Sequence, residues 1–197
     1  MNNSDINAVL ELNELLKSLK QRTSQISLTA VNAMLIARKD PGTYKGFTVV
    51  TTELRTFCDR LNRQAEKLLT LIYKIVDKIS ELKKLENTIR ILELTQAEIK
   101  NSESVATGIL QISQEQKKNH LMLNEQLNHL LGLLSLELEH TSKQCIQGDN
   151  LGILAKIESK AGVMNGVLNL VADQVIESVD NIQTTLKDVT RKLEQGS

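Results

Sequence analysis

The chain is expected to be all-α, built from long antiparallel helical hairpins that pack as a coiled coil or four-helix bundle. Three observations predict this. The 197 residues include a single proline and nine glycines, so helix breakers are few. Leucine, isoleucine, glutamate, lysine and glutamine dominate what remains. Apolar residues recur at spacings of three and four over most of the length, the signature of a helix with one buried stripe.

The first helix is predicted over residues 4–40. Ser4 suits the N-cap, and Asp5 sits favourably at the positive end of the helix dipole. Val9, Leu12, Leu16, Leu19, Thr23, Ile26, Ala30, Ala33 and Ala37 form its seam, narrowing to alanine where helices can approach closely. Asp40-Pro41-Gly42 ends it, because proline disfavours helix at the preceding residue. Gly42 and Gly46 supply permissive backbone on both sides of a tight reversal. A second helix is predicted from Gly46 to about Lys100, roughly 80 Å at the helical rise. Its seam starts at Phe47, Val50, Leu54, Phe57 and Leu61 and continues through Leu82 to Ile99. The first helix can cover only the part of it nearest the reversal, so Leu85 to Ile99 needs another partner.

A polar break is expected at Lys100–Ser104, and a third helix from there to about Ile146. Its Leu127, Leu130, Leu131, Leu134 and Leu138 make an apolar face too broad for one neighbour. The run 114–120 reads as a solvated helix face. Gln147-Gly148-Asp149-Asn150 then reads as a second reversal, with Gly148 beyond the helix C-terminus and Asp149 or Asn150 as the next cap. A fourth helix follows to about Leu193, with Leu154, Ile157, Ala161, Met164, Leu168, Val171, Val175, Val179, Ile182 and Leu186 along its seam. Gly162, Gly166 and Ala172 suit close packing. The expected organisation is therefore a hairpin over 1–100 that turns near 40–46, and a second over 101–197 that turns near 147–150. The two could lie end to end or side by side.

Residues 29–55 carry a more specific signal. Thr29-Ala30-Val31-Asn32-Ala33-Met34-Leu35-Ile36 leads into the reversal, and Gly46-Phe47-Thr48-Val49-Val50-Thr51-Thr52-Glu53-Leu54-Arg55 leaves it. The arrangement resembles, without a gap, the signalling tip of the methyl-accepting chemotaxis proteins, the bacterial chemoreceptors. Tips of that family read roughly L-x-L-N-A-A-x-E-A-A-R-A-G-E-x-G-x-G-F-x-V-V-A-x-E-V-R. Asn32, Ala33, Ala37, Gly46, Phe47, Val49, Val50, Glu53 and Arg55 match it. The family glutamate is Ile36 here, its arginine is Lys39, and its turn is Asp40-Pro41-Gly42; arginine to lysine loses a bidentate fork. The resemblance implies a degenerate chemoreceptor-like signalling or adaptor protein that works through contacts at its hairpin tip. It implies partner contact or tip self-association at Asn32, Ile36, Lys39, Phe47, Val49, Val50 and Glu53, around a turn at Pro41, Gly42 and Gly46. It implies as partners a chemotaxis histidine kinase, its coupling protein or other chemoreceptors, and a homo-oligomer, most simply a dimer. The substitutions at Ile36 and Lys39 bear directly on whether kinase coupling survives.

Composition excludes several other classes. Twenty-four basic residues balance twenty-four acidic ones and aromatics are 2%, so neither the charge nor the stacking platforms for nucleic-acid binding are present. Nothing at the N-terminus reads as a secretory leader, and no apolar run is long enough for a membrane span, so a soluble, cytoplasmic protein is expected. Cys58 and Cys145 have no metal or redox spacing and read as small buried hydrophobes in a reducing compartment. No cofactor, metal site or enzymatic activity is expected. The Glu125-Gln126 and Gln114-Glu115-Gln116 pairs lack the small flanking residues of the family's methylation sites. His140 has a lysine three residues on but no glycine after it, which counts against a histidine phosphotransfer bundle. The rival from another class is a structural coiled-coil scaffold, which needs the seams but not the tip.

Overall fold

The computed structural model describes residues 3–37, 45–98, 103–161 and 165–196, and all of them are helical. The elements are α1 (Asn3–Ala37), α2 (Lys45–Glu98), α3 (Glu103–Ala161) and α4 (Asn165–Gly196). The all-α expectation holds. Pro41 and Gly42, the centre of the first reversal, lie outside the described residues, as does the middle of the polar break at 99–102.

The second reversal is not where the sequence placed it. Residues 147–150 are helical, and α3 runs unbroken to Ala161; α4 begins at Asn165, and residues 162–164 lie outside the described set. Packing overrides local turn propensity here. Gly148 is buried, and a Cβ on it would lie 2.5 Å from Phe57 Cζ and 2.7 Å from Val179 Cγ2. Asp149 accepts a hydrogen bond from Gln183 Nε2 at 2.9 Å. Four residues on, a Cβ at Gly152 would meet Ile176 Cγ1 at 2.6 Å. Gly148 and Gly152, with Cys145 and Ala155, make a small-residue face onto which α2 and α4 close. Of the three small residues expected to pack closely, Ala172 is buried, Gly162 lies outside the described residues, and Gly166 has nothing within 4 Å of where a Cβ would stand.

The compact units also divide differently from the expected split at residue 100. One unit comprises 1–69 with 135–197; the other comprises 70–134. The first is a four-helix bundle of α1, the start of α2, the end of α3 and α4. Its interior holds Leu12, Leu16, Leu19 and Ile26 from α1, Leu54, Phe57 and Leu61 from α2, Leu138 and Cys145 from α3, and Val171, Val175, Val179 and Ile182 from α4. The predicted seams of α1 from Leu12 to Ala30, of α2 from Val50 to Leu61 and of residues 171–186 are thus buried. Leu154 and Ile157, assigned to the seam of the fourth helix, are instead on α3 and exposed.

One layer of this interior is polar. The Thr23 hydroxyl bonds Asn62 Oδ1 across α1 and α2, and Gln64 Nε2 donates to the Glu137 carboxylate across α2 and α3. The buried Thr141 hydroxyl donates to the Glu137 carbonyl at 2.7 Å. Polar groups in a coiled-coil seam fix its register at some cost in stability.

The second unit is an antiparallel pair, α2 from 70 against α3 up to 134. Ile72, Ile75, Leu82, Leu127 and Leu134 are its buried apolar side chains. Lys117 bonds Glu93 at 2.7 Å and His120 bonds Glu86 at 3.3 Å across the pair. This is the partner that the far part of α2 required. A helix with one neighbour buries only a narrow stripe, and Tyr73, Ile91, Leu94 and Leu121 are each more than half exposed. Among the described residues, no helix is long and apolar enough to cross a membrane.

Candidate functional site: one end of the four-helix bundle

Two interhelix contacts fix the register of α1 against α2. Lys20 meets Glu66 at 3.6 Å, and Thr23 meets Asn62. Antiparallel extension from these pairs brings Asn32 level with Glu53, and Leu35 level with Val50. The register of α2 against α3 is set by Gln64 on Glu137 and by Gly46, whose missing Cβ leaves the space that the Glu158 carboxylate fills. That register brings Val49 level with Leu154. The end of α1 and start of α2, and the end of α3 and start of α4, therefore lie at the same end of the bundle, with both helix pairs antiparallel.

Of the residues expected at the tip, three are exposed: Asn32 on α1, and Val49 and Glu53 on α2. Val49 is 63% exposed, although it is aliphatic and lies in the second turn of α2. Val50 is 7% exposed and belongs to the core, so its expected part in partner contact is corrected: one residue's rotation on the helix turns it inward beside Leu54. Ile36 and Phe47 are in helices, but their side chains lie outside the described set; Lys39 lies outside it altogether. Gly46 is within α2 and is helical, so its role is not that of a turn residue. It leaves room for the Glu158 carboxylate of α3. Asn32 is on α1 and Val49 and Glu53 are on α2, so no single helix face carries all three. Asn32 instead lies between Leu28 and Leu35, which are 63% and 53% exposed and share its side of α1 at spacings of four and three.

The sequence reading missed an exposed apolar surface on α3. On α3, Ile146, Ile153, Leu154 and Ile157 are exposed, opposite the Cys145–Gly148–Gly152–Ala155 face. They were hidden by the misplaced reversal, which split them between two helices and turned the last two inward. The available signal was the spacing of small residues at 145, 148, 152 and 155, which marks a packed helix face rather than a turn.

Titration chemistry is sparse. Burial pushes both thiols, Cys58 and Cys145, up to about 12, with nearby Asp59 and Asp149 adding to the effect, so neither is a nucleophile near neutrality. The Glu139 carboxyl is held below its ordinary value by its hydrogen bond from Lys143. Among the described residues no group of three or more histidine, cysteine, aspartate or glutamate side chains could hold a metal ion. His140, the nearest approach to a phosphoacceptor, is an exposed residue of α3. What this end offers is contact surface: aliphatic side chains standing in water, each beside an amide or a carboxylate. Comparison with protein-family models, with curated proteins and with solved structures yields no match, and the functional reading therefore rests on this surface and the residues that compose it.

Proposed function

We propose that the protein is a chemoreceptor-like signalling or adaptor protein that works by protein–protein contact at the end of the bundle where its helices reverse. The observation that carries this reading is Val49. It is an aliphatic side chain 63% exposed at the start of α2, one turn from exposed Glu53 and within the Gly-Phe-x-Val-Val-x-x-Glu-Leu-Arg stretch. A lone exposed aliphatic residue is ordinary, but a cluster at one end of a bundle marks an interaction surface. Leu28, Leu35 and Leu154 join Val49 there. The partners are a chemotaxis histidine kinase, its coupling protein or other receptors of that type, met in the cytoplasm by a homo-oligomer. Coupling runs through small shifts in helix packing, and the chain itself catalyses nothing.

The test is direct binding of the purified chain to such a kinase and coupling protein. Wild-type protein should bind, and the Asn32→Ala, Val49→Glu double variant should lose binding while keeping its helical signal and melting temperature. If both proteins fail to bind either partner, the signalling reading falls. A structural scaffold then becomes the better account, and it would keep its assemblies whatever stands at positions 32 and 49.

A further inference from the structure

We propose that the outward face of α3 pairs with the same face of a second copy of this chain, antiparallel about a two-fold axis at Asn150. The inference takes self-association from the reading above and specifies its surface; it does not depend on the identity of the tip's partners.

Ile146, Ile153 and Ile157 are 55%, 53% and 57% exposed, and with exposed Asn150 they step by four, three and four along one stripe. That is the seam of a helix pair with its partner missing. Leu154, 47% exposed, widens it toward α2. The opposite side of α3 is already buried in the bundle, so α3 is apolar on both sides. A helix of that kind is normally covered all round. The four side chains expose roughly 400 Å² of apolar surface, within the range of the largest patch on a monomer and often a working one.

The charges at the ends of the stripe choose the occupant and its direction. Glu139 stands at one end, paired along its own helix with Lys143 at 2.6 Å in an exposed contact that a second copy can share, and Lys160 stands at the other end. Antiparallel pairing about Asn150 sets Glu139 against Lys160 of the partner subunit and Ile146 against Ile153 of the partner subunit. Parallel pairing would set each charge against its own kind, which is unfavourable. On the axis, Asn150 meets Asn150 of the partner subunit. An amide carries both donor and acceptor, so it can satisfy its own copy, and one such pair in an apolar seam fixes register. A C2 contact of this type is isologous and closes at two copies.

The experiment uses the full chain. Sedimentation should show a dimer that Ile153→Glu weakens by about a hundredfold. Glu139→Lys should weaken it by about tenfold, and adding Lys160→Glu should restore it. Under mild oxidation Asn150→Cys should form a disulfide dimer much faster than Gln111→Cys, an exposed control; the native thiols are buried and do not compete. A chain still monomeric at about 100 µM overturns the proposal. So does a dimer unmoved by Ile153→Glu, or cross-linking at position 150 no faster than at 111. Monomeric protein that sediments with anionic phospholipid vesicles, and loses this in Ile153→Glu, also overturns it and gives the face to a lipid surface. Kinase and coupling-protein binding is measured separately, so a failed tip and a failed dimer are told apart.

Discussion

The ring of Phe57 occupies the space that a side chain on Gly148 would need, with Cζ 2.5 Å from the absent Cβ and Val179 closing the other side at 2.7 Å. Three helices meet there without a spare methyl group's room. Gly148→Ala gains about 1 kcal/mol of helix propensity. It also forces an almost wholly buried aromatic ring to move, and overpacking of this kind costs about 1–3 kcal/mol. The net effect should be destabilising. Gly166→Ala, in open space on α4, should be stabilising by about 0.5–1 kcal/mol. Urea denaturation of the two variants should give midpoints shifted in opposite directions.

Gln64 is 3% exposed and donates to Glu137 from within the polar layer of the bundle. Gln64→Leu removes a buried amide and leaves Glu137, which is only partly buried, free to hydrate. Such replacements are often neutral or stabilising, and an increase of about 1 kcal/mol is expected. Gln64→Ala instead leaves a hole and should cost about 2 kcal/mol. Equilibrium unfolding of both distinguishes a register-fixing amide from one the fold needs for stability.

Alkaline pH should loosen the bundle through its thiols. Folded Cys58 and Cys145 stay protonated up to about 12, against an ordinary thiol value of 9.0. The folded state therefore binds more protons than the unfolded state between those values, and stability falls as pH rises through that window. Below pH 9 the contribution is fully present. Melting temperature should decline above pH 9, and thiol alkylation at pH 8 should be slow in native protein and fast in urea.

The ion pairs of the second unit should matter little beside its apolar contacts. Lys117 and Glu93 meet at 2.7 Å but are 55% and 52% exposed. Lys117→Ala should change stability by less than about 0.5 kcal/mol. Leu127→Ala, at 2% exposure between the two helices, should cost about 2–4 kcal/mol. Hydrogen exchange at amides of 70–134 would report both effects locally.

Much of the fold was legible because heptad spacing is a repeated signal. The seam of α1 from Leu12 to Ala30 and that of α2 from Val50 to Leu68 are buried as read. The second reversal was misread because Gln147-Gly148-Asp149-Asn150 has the composition of a turn. A glycine that permits contact with Phe57 looks the same in sequence as one that permits a bend. Gly162-Val163-Met164 carries weaker turn chemistry, and the apolar spacing runs straight across it. The candidate site suffered accordingly. Val49 and Glu53 were readable from a motif confined to one hairpin. The Ile146–Ile157 stripe became visible only once α3 was known to be continuous.

The register of the bundle also governs how the protein can be handled. α1 begins, and α4 finishes, at the extremity opposite the reversals, and these two helices touch. A fluorophore or surface tether placed on the first turn of α1 would thus stand some 45 Å, by the helical rise over thirty residues, from the level of Val49.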